Sequence, residues 1–144
     1  MPTKKSKKVK KLEPKPRIRR RLMRLWSEAV AIMGGHKCAI CGKTKEDGVR
    51  LEAHHLEPRQ ICQSLRYDPR NGILLCTSHH KFGKESAHKG MLWFVTWLQT
   101  NRKDQYEYVM NHRLDDIDLN DRDTLANIEM ELDKITGRKI KCTK

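Results

Sequence analysis

Two spacings constrain this chain more than any other feature. Cys38 and Cys41 are separated by two residues, and Cys76 and His79 repeat that spacing 35 residues after Cys41. Structural zinc takes four thiolate or imidazole ligands in a tetrahedron, and each pair supplies half of one. A shared ion forces the segment between the pairs to fold back on itself. His80 competes with His79 for the fourth corner, but the two-residue spacing favours His79 and leaves His80 free. Such a site can contribute about 10–16 kcal/mol of apparent binding energy to folding, which suits a region with few apolar residues per strand. A disulfide framework is not expected: the cysteines number five, and Met1 to Arg21 has no apolar core that would make it an export signal. Cys62 and Cys142 read as ordinary thiols.

At 144 residues the chain suits one domain with tails. No run of about 20 apolar residues offers a membrane span, and the chain is expected to stay in the compartment where it is made, the cytoplasm. Charge is uneven. Residues 1–21 hold 11 Lys/Arg and one acidic residue, net +10, out of +13 for the whole chain. Residues 101–144 hold 9 basic and 10 acidic residues, net −1. A basic arm with a near-neutral body suits a polyanion, and nucleic acid is the natural partner. The plain alternative is a solubilising tail.

The expected fold class is α+β. Residues 1–17 read as a disordered basic arm. Ile18, Leu22, Leu25, Ala29 and Ile32 recur at helical spacing, with Trp26 beside them, and predict a helix within 18–35 that stops at Gly34-Gly35. The Arg19-Arg20-Arg21-Arg24 face of that helix lies along phosphates or is simply its wet side. Val49 to His54 alternates like a strand that Pro58 ends, and Ile73-Leu74-Leu75 reads as a second strand. A helix carrying Lys81 and Lys84 is expected to open near Cys76. Residues 91–137 predict a helical extension. Leu92, Trp93, Val95 and Trp97 are expected in its core, although Trp93 and Trp97 could instead stack on single-stranded bases. A helix capped near Asp123 and ended by Gly137 carries Leu125, Ile128, Leu132 and Ile135 as an apolar stripe, which could support a homodimer. Residues 138–144 are left as a tail.

Between and just past the knuckles sit His54, His55, Asn71, His80 and His88. Two neighbouring surface histidines can mean nothing. In a module that already holds structural-metal ligands, however, a second and open metal site is an economical use of the surplus imidazoles. Glu52 and Glu57 flank the pair and read as solvated.

This arrangement resembles the HNH, or ββα-metal (His-Me finger), endonuclease family. The shared pattern is Cys38-x-x-Cys41, then Ala53-His54-His55-x-x-Pro58, then Asn71-Gly-Ile-Leu-Leu-Cys76, then His79-His80, over about residues 36–90. LWSEAV before the first knuckle, LRYDPRNGILLC, SHHKF and a later SAH also resemble phage recombination endonucleases of the NinG (Rap) type. The resemblance implies a small ββα-metal core with a structural zinc and flanking N- and C-terminal helices. It implies His54, His80 and His88 as ligands of a catalytic divalent ion (Mg2+, Mn2+, Ni2+ or Zn2+), His55 as the general base and Asn71 as a brace for the loop carrying the histidines. One departure stands out: the position four residues after His80 is Lys84, so His88 would have to complete the ligand set.

The implied activity is metal-dependent hydrolysis of DNA, with branched or recombination DNA a possibility that only the resemblance raises. A neutral histidine, with an ordinary pKa of about 6.5, can take a proton from water near neutral pH. Arg59, Arg66, Arg70, Lys81 and Lys84 lie near the expected site and are candidate backbone contacts, which position DNA without reading its sequence. The competing readings are a non-catalytic zinc-dependent DNA-binding protein and an RNA-binding zinc knuckle. Neither has a use for His55 and His80.

Overall fold

The structure is a computed structural model and describes residues 12–138. Most of the expected arm, all but Arg138 of the expected tail, and Cys142 lie outside the described residues. Helix α1 spans Lys15–Met33. It starts inside the segment expected to be a disordered arm, because Pro16 stands at its first turn, where a missing N–H costs nothing. Glu13 and Arg17 are paired at the same end. The helix ends ahead of Gly34-Gly35, as its spacing predicts.

Strands β1 (Leu51–His55) and β2 (Gly72–Cys76) form an antiparallel hairpin-like sheet whose register sets His54 against Ile73 and His55 against Gly72. Gly72 is extended and begins the strand, so the Asn-Gly pair here is not a left-handed turn. The glycine serves a close approach. A Cβ on Gly72 would meet Val30 Cγ2 at 2.2 Å and Trp26 Cζ2 at 2.8 Å, so its absence lets α1 lie directly on the sheet.

The helix expected from Cys76 is a single wide turn, Ser78–Phe82, closed when Gly83 N–H donates to the Ser78 carbonyl. Lys84 therefore falls beyond it. The chain then doubles back: Ala87 N–H donates to the His79 carbonyl and His88 N–H to the His80 carbonyl. A Cβ on Gly90 would stand 2.3 Å from the Lys84 carbonyl oxygen, so only glycine closes this loop so tightly.

Helices α2 (Met91–Asn101), α3 (Lys103–His112) and α4 (Arg122–Thr136) follow. Phe94 and Leu98 are the buried residues of α2, whereas Leu92 is 86% exposed and Val95 is exposed. The expected core is thus displaced: Trp93 and Trp97 are only half-buried at its edge. Asp121, two residues before Asp123, caps α4 by accepting from Thr124 N–H, and Gly137 ends it. The apolar stripe expected to support a dimer faces inward. Leu125 and Leu132 pack with Leu22, Leu25 and Trp26 of α1, with Ile128 at the margin. Ile135 is left exposed. Among the described residues no helix is long and apolar enough to cross a membrane.

Candidate functional site

The two knuckles meet. Cys38, Cys41, Cys76 and His79 bring their ligand atoms within 4.8 Å of one another. Cys41 Sγ is 3.9 Å from Cys76 Sγ, and His79 Nδ1 lies 3.3 Å from Cys76 Sγ and 3.7 Å from Cys38 Sγ. A tetrahedron with legs of about 2.3 Å to sulfur and 2.0–2.1 Å to nitrogen has S···S edges of about 3.8 Å and S···N edges of about 3.5 Å. The donor set therefore fits a zinc ion. Burial pushes the Cys38 thiol up, but backbone N–H groups around Cys41, Cys76 and Ile40 outweigh it and hold Cys38 below its ordinary value. Burial, then the neighbouring Cys38, raises Cys41.

A second cluster lies beside it. His54 at the end of β1, His80 on the short turn and His88 on the returning loop bring ring nitrogens within 4.8 Å. His80 Nε2 and His88 Nε2 are 3.2 Å apart, close to the separation of neighbouring ligands on a divalent ion with Zn–N bonds of about 2.0–2.1 Å. Consecutive residues on a helical turn diverge, so His79 serves the cysteines while His80, 7% exposed, turns to the strand. Lys84, four residues after His80, is no part of either cluster. The backbone pairing of residues 87–88 with 79–80 delivers His88 instead.

The three-imidazole set suits divalent metals that take nitrogen ligands, and burial favours the neutral, metal-binding form of His54 and His80. Burial, then the charges of His80 and His88, lowers His54 to about 3. Burial likewise lowers His80, against the opposing pull of Glu52. Phe94 of α2 meets His54 edge-on at 5.6 Å and closes the apolar side.

Glu52, expected to be solvated, is a half-buried partner of the site. His80 Nδ1–H donates to its Oε2 over 2.6 Å, and Lys81 Nζ lies 2.8 Å from the same oxygen. The Lys81 bond, and to a lesser degree His80, holds the Glu52 carboxyl below its ordinary range. Its signal in the sequence was its position two residues before His54, on the same face of β1. Glu57 is likewise paired, with Arg113 at 3.0 Å.

His55 points to the other face. It stacks on the Trp26 indole with centroids 3.6 Å apart and planes within 9°. Its Nε2 lies 2.9 Å from the Arg66 carbonyl. Donation there leaves the lone pair on Nδ1. Burial first, then the charges of Arg59 and Arg66, holds His55 below its ordinary value, against the bond to Arg66. Asn71, fully buried, accepts from Glu57 N–H at 2.8 Å and donates to the carbonyls of Glu57 at 3.0 Å and Leu65 at 3.2 Å. Its amide ties the exit of β1 to the loop that carries Arg66.

The five candidate backbone cations separate. Arg59 and Arg66 border a groove against α1. Arg70 is instead held in an internal pair, donating twice to Asp68 and lying 3.9 Å above the Tyr108 ring. Lys81 is bound to Glu52, and Lys84 is exposed.

No curated protein and no solved structure matches the chain. Residues 38–82, from the first knuckle cysteine to the end of the wide turn, match the family model described as HNH endonuclease, which supports an HNH domain over this segment.

Proposed function

We propose that this protein is a metal-dependent DNA endonuclease that hydrolyses phosphodiester bonds with His55 as general base. The observation that carries this reading is the convergence of His54, His80 and His88 on one point, with His55 the next residue of the same strand, in a module whose fold already has its own four-ligand site. A divalent ion bound by the three imidazoles would polarise the phosphate and stabilise the departing oxygen. The chain's own residues supply the rest. The Arg66 carbonyl and the Trp26 ring fix the plane of His55, and its Nδ1 is left to accept the proton of an attacking water. Asn71 holds the loop that bears the Arg66 carbonyl. A zinc-dependent DNA-binding protein without catalysis would account for the knuckles, but not for the second cluster.

The test is cleavage of supercoiled plasmid and of a four-way junction by the pure protein, with magnesium, manganese, nickel or EDTA, beside His55→Ala. Metal-dependent cutting that is lost in a folded, DNA-binding His55→Ala protein is the expected result. Faster cutting of the junction would extend the reading to recombination DNA. Wild-type cutting by His55→Ala removes His55 as the base, and no cutting under any metal overturns the enzyme reading.

A further inference from the structure

α1 divides its arginines between two directions. Arg21 turns to acidic partners, Glu13 at 2.8 Å and Glu129 at 2.9 Å. Arg20 and Arg24 turn the other way, into a groove of about 350 Å3 whose far wall carries Arg59 and Arg66. Arg19 also borders it, held by the Leu119 carbonyl and Asn120 Oδ1. No acidic residue lines this groove. Among the described residues Arg20, Arg24, Arg59 and Arg66 form no ion pair, and the residues outside them contain no Asp or Glu. Asp118 lines an adjoining pocket with Arg19 and Arg66 but pairs with neither, so the four like charges repel one another within the groove, and a polyanion relieves that repulsion.

Arg66 connects the groove to the site. Its carbonyl lies 2.9 Å from His55 Nε2 while its side chain borders the groove. Its Nε is buried without a partner. Guanidinium groups match phosphate oxygens with paired donors, which a lysine does not do. An anion lying in the groove would therefore touch the residue whose carbonyl holds His55.

We infer that this groove is a track for the phosphodiester backbone of DNA flanking the bond to be cut, with Arg20 and Arg24 on one wall and Arg59 and Arg66 on the other contacting its phosphates. The inference rests on the nuclease reading for the words "bond to be cut", and on the groove alone for DNA binding. It assigns strand placement to α1, a helix outside the segment that matches the family model. It also replaces Arg70 and Lys81, which are held by internal partners, with Arg20 and Arg24.

The test is binding of a short fluorescent DNA duplex to the full chain without added divalent metal, over a salt series. Arg20→Glu/Arg24→Glu is compared with wild type, with Arg59→Ala and with Lys43→Glu/Lys45→Glu, which changes charge equally on exposed residues away from the groove. Melting curves check that each variant is folded. We expect Arg20→Glu/Arg24→Glu to bind at least tenfold more weakly, with a plot of log affinity against log salt shallower by about 2, since each phosphate contact contributes roughly 0.9 to that slope. Arg59→Ala should lose about threefold or more, with a slope shallower by about 1. Unchanged affinity and slope in the folded groove variants overturn the inference, as does an equal loss in Lys43→Glu/Lys45→Glu. If the wild type cuts DNA while the groove variants bind normally, the track fails and the nuclease stands. If nothing cuts but only the groove variants lose binding, the track stands as a DNA-binding surface and the nuclease reading fails.

Discussion

Glu52 and His80 are 28 residues apart in sequence, yet His80 Nδ1–H donates to Glu52 Oε2 over 2.6 Å. That bond fixes the tautomer that turns the Nε2 lone pair toward His54 and His88. Partners of this kind are typically worth 10–100-fold in metal affinity or activity. Glu52→Ala should weaken manganese or nickel binding at the three-histidine cluster by that factor and leave the zinc content of the knuckles unchanged. Calorimetric titration with the metal checks it. Wild-type affinity would show that Glu52 serves only the ion pairs with Lys81 and Arg50.

Trp26 lies against His55 and donates its indole N–H to the Asp68 carbonyl at 2.9 Å. It is 1% exposed. Trp26→Ala should cost about 3–5 kcal/mol of stability by opening a cavity. Trp26→Phe keeps a ring against His55 and should recover most of kcat, whereas Trp26→Leu should lose kcat with little change in KM. Equal kcat in the Phe and Leu proteins would mean the indole only fills space.

Asn71 makes three hydrogen bonds with no exposure. Asn71→Ala strands the N–H and the carbonyl of Glu57 and leaves the Leu65 carbonyl only its bond from Asp68 N–H. A loss of about 2–4 kcal/mol in urea unfolding is expected, at roughly 1–3 kcal/mol for each unsatisfied group, partly relieved by water. Cleavage should fall even where the protein remains folded. Asn71→Asp should fare no better, because a carboxylate cannot donate to the Glu57 and Leu65 carbonyls.

Cys38 is 1% exposed within the four-ligand cluster. Cys38→Ala should reduce bound zinc and lower the melting temperature steeply, and prolonged chelation of the wild type should do the same. Full zinc content with an unchanged melting curve would remove this cluster as a structural site.

Tyr108 O–H donates to Asp68 Oδ2 at 2.7 Å, and burial followed by that bond pushes its pKa up to about 12 from 10.0. The folded state keeps a proton that the unfolded chain releases near pH 10, so the contribution is complete below that pH and disappears as pH rises through about 12. Relative to Tyr108→Phe, the wild type should lose about 1 kcal/mol between these limits, after allowance for solvent screening. Parallel curves for the two proteins would show that the bond carries no proton linkage.

The sequence by itself determined the donor chemistry: CxxC and CxxH as halves of one site, the His54-His55 pair, Asn71, and the order in which they occur. Ligand identity and short covalent spacing are local properties, legible without coordinates. The single apolar stripe of α4 was legible for the same reason, but its partner was not. Which residues surround the histidines was decided only by tertiary structure. The β1–β2 register sets His55 opposite Gly72, and the missing Cβ there admits Trp26 from a helix that starts outside the expected boundary. The turn at Ser78–Phe82 and the tight loop closed by Gly90 bring His88, not the position at Lys84, to His80. Glu52, Arg66 and the division of the α1 arginines follow from the same docking. Such contacts depend on where separate elements pack, and residue spacing along the chain carries no record of that.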